Sequence, residues 1–161
     1  MRIRIFQWHV PGKTGKWSIS LRWLIGLFRM AAEDGNAFAQ GMVGYLYQNG
    51  IGVSASRKDG LKWVRKGADA GDAYSQSLMG YLTLYGKDVE KNYGEARKWL
   101  RMASDKGDAF AQYRLGLIYE TGGGFMAPDK EKAAHWYAVS EENGNKDARN
   151  RLRELRKKTG G

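Results

Sequence analysis

Between residues 17 and 158 the apolar positions recur with a helical period, and glycines cut that pattern into short segments. After Gly35, Gly71 and Gly107 come three similar stretches, NAFAQGMVGYLYQNG, DAYSQSLMGYLTLYG and DAFAQYRLGLIYETG. Ala37, Ala73 and Ala109 align in them, as do Gln40, Gln76 and Gln112, and Val43, Met79 and Leu115. Each stretch predicts a helix. It starts on Asn36, Asp72 or Asp108, whose side chain can accept from the free amides of a first turn. It stops at Gly50, Gly86 or Gly122, the residue type that a left-handed helix end favours. A second helix is predicted to start on Ser56, Asn92 and Asp129, three residues with one capping chemistry. The extra residue of the third unit falls in its loop, where insertion costs little. In the second helix a small residue (Gly60, Ala96, Ala133) stands three before a tryptophan (Trp63, Trp99, Trp136), which places both on one face.

These two helices repeat as a unit. Gly35, Gly71, Gly107 and Gly144 are spaced 36, 36 and 37 residues apart, and a tryptophan precedes each of the last three by eight. A helical hairpin of this size cannot cover its own apolar face, so hairpins stack and bury a continuous core. Gly44, Gly80 and Gly116 share one mid-helix position. A glycine there costs about 1 kcal/mol against alanine, which predicts that a neighbouring helix comes close at that point. Gly60, Gly67, Thr83 and Ser140 depart from the unit's pattern and predict locally looser packing.

The flanks read differently. Trp17, Leu21, Leu24, Phe28 and Ala31 predict a helix over 17–33 with those residues inward, the second half of an incomplete leading unit. Residues 1–16 do not fit the unit. RIRIFQWHV reads as a short strand or extended arm, and a lone strand is not stable. It lies on the array, pairs with another chain, or is disordered. Residues 145–158 predict a last helix with Ala148, Leu152 and Leu155 inward and arginines on its other faces, a solubilising cap. The closing KKTGG, and residues 159–161 in particular, read as a disordered tail.

The aligned residues resemble the Sel-1-like repeat family, relatives of the tetratricopeptide repeats. The resemblance rests on A-x-A-Q-x-x-L-G-x-x-Y-x-x-G followed by A-x-x-W-x-x-x-A-x-x-x-G, and spans three units over 36–71, 72–107 and 108–144. It implies an all-α right-handed superhelix over 17–158, with first helices on the concave side. It further implies an adaptor that grips a protein segment, including roles as a bacterial immunity or regulatory protein. On that face stand the first-helix positions outside the packing set: Phe38, Tyr74 and Phe110; Met42, Leu78 and Arg114; Tyr45, Tyr81 and Leu117. They form candidate partner-binding rows, with the aromatic composition of binding hot spots. The row Phe38, Tyr74 and Phe110 also fits plain packing between neighbours.

Charge adds a second candidate. The formal net charge is +10, yet residues 1–30 hold six basic side chains and no acid, and 146–161 hold seven basic and two acidic. The middle is near neutral, so the basic ends offer an alternative role in binding nucleic acid or an anionic surface. Enzyme chemistry finds no footing. There is no cysteine, which removes thiol chemistry and tetrahedral zinc ligands and fits a reducing, cytoplasmic compartment. Gly12-Lys13-Thr14 lacks the earlier glycine of a phosphate loop, Gln7 standing there. Gly122-Gly123-Gly124 has no following lysine and reads as an inter-helix loop. Glu131 and His135 share a helix face without a nucleophile or third ligand, and His9 is isolated. No cofactor, metal site or catalytic residue is expected, and residues 19–28 are too short to span a bilayer.

Overall fold

The computed structural model describes residues 21–124 and 126–159; the predicted arm 1–16 and Trp17–Ser20 lie outside the described residues. Eight α-helices follow one another: α1 Leu21–Glu33, α2 Ala37–Asn49, α3 Arg57–Asp69, α4 Ala73–Tyr85, α5 Tyr93–Ser104, α6 Ala109–Thr121, α7 Lys130–Glu142 and α8 Lys146–Thr159. No strand occurs among the described residues. The caps that the sequence predicts are in place. Asn36, Asp72 and Asp108 accept from the backbone N–H three residues on, and Ser56, Asn92 and Asp129 do the same for the second helices. Asn145 accepts from the amides of Asp147 and Ala148 at the start of α8. The corner at Gly71 requires a positive φ, +90°, that a side chain would strain.

The hairpins are α2–α3, α4–α5 and α6–α7, and they stack in order. The backbones of the first helices also approach one another, α2 with α4 and α4 with α6, whereas no comparable backbone approach joins α3 to α5 or α5 to α7. The first helices are therefore the crowded inner layer of a superhelix and the second helices its outer layer. Each tryptophan sits in the seam towards the preceding hairpin. Trp63 packs on Ala32, Ala39 and Val43, and Trp99 on Val64, Met79 and Leu82. Trp136, almost fully buried, packs with Leu100, Ala103 and Leu115.

The mid-helix glycines mark where the two helices of a hairpin meet. A Cβ on Gly44 would stand 2.4 Å from Val64 Cγ2 and 2.7 Å from the Gly60 carbonyl. On Gly80 it would meet Leu100 at 2.6 Å, and on Gly116 the Tyr137 ring at 2.5 Å. The expectation of looser packing at Gly60 and Gly67 is reversed. A Cβ at Gly60 would meet the Gly44 carbonyl at 2.8 Å, and one at Gly67 the Ala37 carbonyl at 2.7 Å. Gly44, Gly60 and Gly67 draw α2 and α3 together until backbone lies on backbone, whereas a Cβ on Gly41 would run into Ser75 of α4. Thr83 is buried and spends its hydroxyl on the Met79 carbonyl.

Two flanking expectations change. Leu21, predicted inward, is 55% exposed, and α1 buries Ile25 and Ala32 instead. Leu24, Phe28 and Ala31 hold the positions that face a hairpin's own first helix in the other units, and there they are half-buried. With no such helix among the described residues, α1 is oriented by its contact with α2. At the other end α8 runs on through Lys157 and Lys158 to Thr159, so the predicted tail begins in helix. Ala148, Leu152 and Leu155 are buried, as the cap predicts.

The aligned glutamines staple each unit to the one before. Gln76 donates Nε2 to the Ala68 carbonyl at 3.2 Å and accepts from Lys106 Nζ at 3.0 Å. Gln112 donates to the Ser104 carbonyl and accepts from Asn143 Nδ2 at 3.0 Å. Gln40 donates to the Ala32 carbonyl at 3.1 Å, but its buried Oε1 has no partner. Ala70 stands where Lys106 and Asn143 stand in the later units. Ala70→Asn is therefore expected to stabilise the protein by about 1 kcal/mol, raising the melting temperature by roughly 2–4 °C. An unchanged melt would show that this oxygen is not a deficit.

A candidate binding groove on the inner helices

The inner face carries the aromatic rows, and the structure sorts them into two groups. Phe38 and Tyr45 of α2 are exposed, and both meet Tyr74 of α4 edge-on, with ring centroids 6.5 and 6.4 Å apart. Phe28 of α1 continues the line from Phe38 at 6.5 Å. Edge-to-face pairs of this kind contribute about 0.5–1.5 kcal/mol each, so the first group is a preformed aromatic ledge. Burial pushes the Tyr74 phenol up to about 12. Met42, between Phe38 and Tyr45 along α2, is half-buried.

The second group lies across α4 and α6. Tyr81 and Tyr85 have ring centroids 5.0 Å apart, and Tyr85 is half exposed. The guanidinium of Arg114, reaching over from α6, stands 4.9 Å from the Tyr81 ring centroid. The ammonium of Lys87, just past the end of α4, stands 4.6 Å from the same centroid and donates to the Tyr81 hydroxyl. Burial holds Arg114 below the ordinary guanidinium range, against the attraction of the surrounding tyrosines and Asp108.

The other candidate residues divide. Phe110 is exposed, at the N-terminal end of α6. Leu78 and Leu117 pack against buried clusters, Leu78 with Val64 and Met79, Leu117 with Tyr137 and Leu155. These two serve the core more than the surface. Tyr85, Lys87 and Phe28 adjoin these candidate rings and were not among the predicted rows. Tyr85 stands where the other units have Asn49 and Thr121, so its difference between units was the available signal.

In the basic C-terminal helix two arginines are tied down. Arg149 pairs with Glu141 at 2.7 Å, and Arg151 with Glu120 at 2.9 Å and Glu154 at 3.2 Å. Glu120 also accepts from the Tyr137 hydroxyl at 2.7 Å. Its bond holds the Arg151 guanidinium above its usual range, and burial followed by that carboxylate raises the Tyr137 phenol. Glu131 and His135 form no metal cluster; no group of three or more His, Cys, Asp or Glu side chains gathers among the described residues. No helix there is long and apolar enough to cross a membrane.

The family model of the Sel1 repeat matches residues 37–72, 73–108 and 109–145. Among solved structures the chain is similar to a Sel1 repeat protein from Oxalobacter formigenes, with 34% identity and a TM-score of 0.77 over 81% of this chain and 53% of that one. It is also similar to c5321, a protective antigen of uropathogenic Escherichia coli strains with an SLR fold, with 25% identity and a TM-score of 0.80 over 86% of this chain and 30% of that one. Cysteine-rich protein B of Helicobacter pylori shares the fold at 18% identity and a TM-score of 0.63, over 86% of this chain and 98% of that one. The chain thus spans about half the length of the first relative and under a third of the second. No curated protein sequence matches it. Repeats of this kind are generally protein–protein interaction modules. With three units matched over most of its length, the chain belongs to the Sel1 repeat family.

Proposed function

We propose that this protein is a non-enzymatic adaptor that holds an extended or helical segment of another protein along its first helices. The observation that carries this reading is the aromatic ledge of Phe38, Tyr45 and Tyr74, which keeps exposed rings on the inner layer of the array. Exposed aromatics held rigidly by their neighbours lose little entropy when they are covered, which is why such residues dominate binding energy. A regulatory or immunity role fits a one-to-one contact of this size, and a chain without cysteine suits the cytoplasm. The arginines of α8 that are engaged by Glu141, Glu120 and Glu154 make the basic end a weaker rival.

A random peptide library displayed on phage, selected on the full chain, tests this. Selected peptides are expected to lose roughly 10- to 100-fold in affinity on Tyr45→Ala/Tyr81→Ala, the effect of removing hot-spot rings. They are expected to keep their affinity on Arg153→Gln/Lys157→Gln. The opposite pattern, binding lost with the α8 charges and kept without the tyrosines, would move the function to the basic end.

A further inference from the structure

Several arginines of the array have an acid beside them. Arg57, Arg101, Arg149 and Arg151 each stand within 4.0 Å of a carboxylate. Arg114 and Lys87 have no such carboxylate among the described residues, although both lie against Tyr81. For Lys87, at the end of a helix, water suffices. Arg114 is different because it is half-buried, and with Asp108 attracting it only from beyond ion-pair distance its withdrawal from water is a net cost to the fold. The Tyr81 ring offsets part of that cost, since a cation over a ring face contributes about 0.5–2 kcal/mol. The Tyr81 hydroxyl accepts from Lys87, so its own O–H is left to donate. Two cations and one hydroxyl donor thus surround a single ring, with acceptors in deficit. Tyr85, half exposed, lies against Tyr81, and Phe110 is exposed at the start of α6. The charged spot therefore borders exposed aromatic surface, where a side chain from the middle of a bound segment would reach it.

We propose that the cluster of Tyr81, Lys87 and Arg114 receives an aspartate or glutamate side chain of the bound protein segment, while apolar side chains of that segment cover Phe38, Tyr45 and Tyr74. This rests on the groove reading above and narrows it to an acidic–apolar partner. The guanidinium supplies a planar pair of donors that fits a carboxylate, the ammonium a point charge, and Tyr81 a neutral donor.

The test uses peptides selected from the random library on the full chain, each made with a free and an amidated C-terminus. Peptides enriched in one Asp or Glu at a fixed distance from aromatic or aliphatic residues are expected. Arg114→Met is expected to weaken them roughly 10- to 100-fold, as loss of a charge-assisted hydrogen bond does, with Arg114→Lys recovering only part. Lys87→Met, a change on an exposed residue beyond the helix end, is expected to weaken the same peptides and to flatten the salt dependence of binding. It keeps the test valid if Arg114→Met melts early. Amidation is expected to change nothing. Peptides that bind through Tyr45 but show no acidic preference would overturn the carboxylate proposal and leave the groove reading intact. Affinity that vanishes on amidation would overturn it in favour of a chain terminus. Binding indifferent to Tyr45 and Tyr81 would sink the groove reading itself.

Discussion

Leucine in place of Gly44 is expected to destabilise the protein by about 3 kcal/mol, the upper end of what overpacking costs. The reason lies in what the new atoms would meet. The first of them, Cβ, already falls 2.7 Å from the Gly60 carbonyl and 2.7 Å from the Val64 amide, and neither can step aside without moving a helix. Even Gly44→Ala is expected to be harmful, although alanine gains about 1 kcal/mol of intrinsic helix preference. Gly80→Ala is the informative partner. Its Cβ meets the Leu100 side chain at 2.6 Å, while the nearest backbone atom, the Leu100 amide, is at 3.2 Å. A side chain repacks more readily than backbone, so the loss at Gly80 is expected to be smaller. Chemical denaturation of the three variants checks this, and equal losses at Gly44 and Gly80 would refute the distinction between backbone and side-chain contact.

The second large effect is expected at Glu120. Its carboxylate, 14% exposed, joins three helices by accepting from Tyr137 of α7 at 2.7 Å and Arg151 of α8 at 2.9 Å. Glu120→Ala leaves a buried hydroxyl and a guanidinium without their acceptor. Breaking a fully buried pair costs about 3–5 kcal/mol. Arg151 is 35% exposed, so water recovers part, and about 2–3 kcal/mol is expected. The loss should be concentrated in α8, which hydrogen exchange would detect as early opening of its amides. Adding Arg151→Met to Glu120→Ala should restore some stability, because the stranded charge is then gone. A double variant worse than the single one would show that the pair acts through something other than its charge.

What the sequence made legible was chemistry local to one or two turns. The six predicted capping residues, the glycine corners and the small-then-tryptophan pairs act on their own backbone or on the next helix, and each recurs, so comparison within the chain exposes them. The close approach at Gly44, Gly80 and Gly116 was legible for the same reason. Position 60 misled because a glycine where other units carry alanine looks like a defect in isolation. Only the facing Gly44 carbonyl shows that no side chain fits. The inward face of α1 was misjudged because periodicity gives a helix a stripe but not the neighbour that covers it. In the groove, the Tyr45 and Tyr81 rows and Arg114 could be found as positions that vary between units. That Arg114 of one unit stands over Tyr81 of the previous one, with Lys87 on the same ring, depends on how hairpins stack and has no signature along the chain.

The closest helix approaches in the array are between immediate neighbours along the chain and, on the inner layer, between successive first helices, and the tryptophans reach only one unit further. Stability in such a chain of contacts is a sum of local terms, and opening begins where a unit is supported from one side. The hairpin of α4 and α5 is supported from both. It supplies Tyr74 to the aromatic ledge and Tyr81 to the charged cluster. The two rings on which the proposed groove depends therefore sit on the last part of the molecule to fray, and the proposed recognition is expected to outlast partial melting at either end.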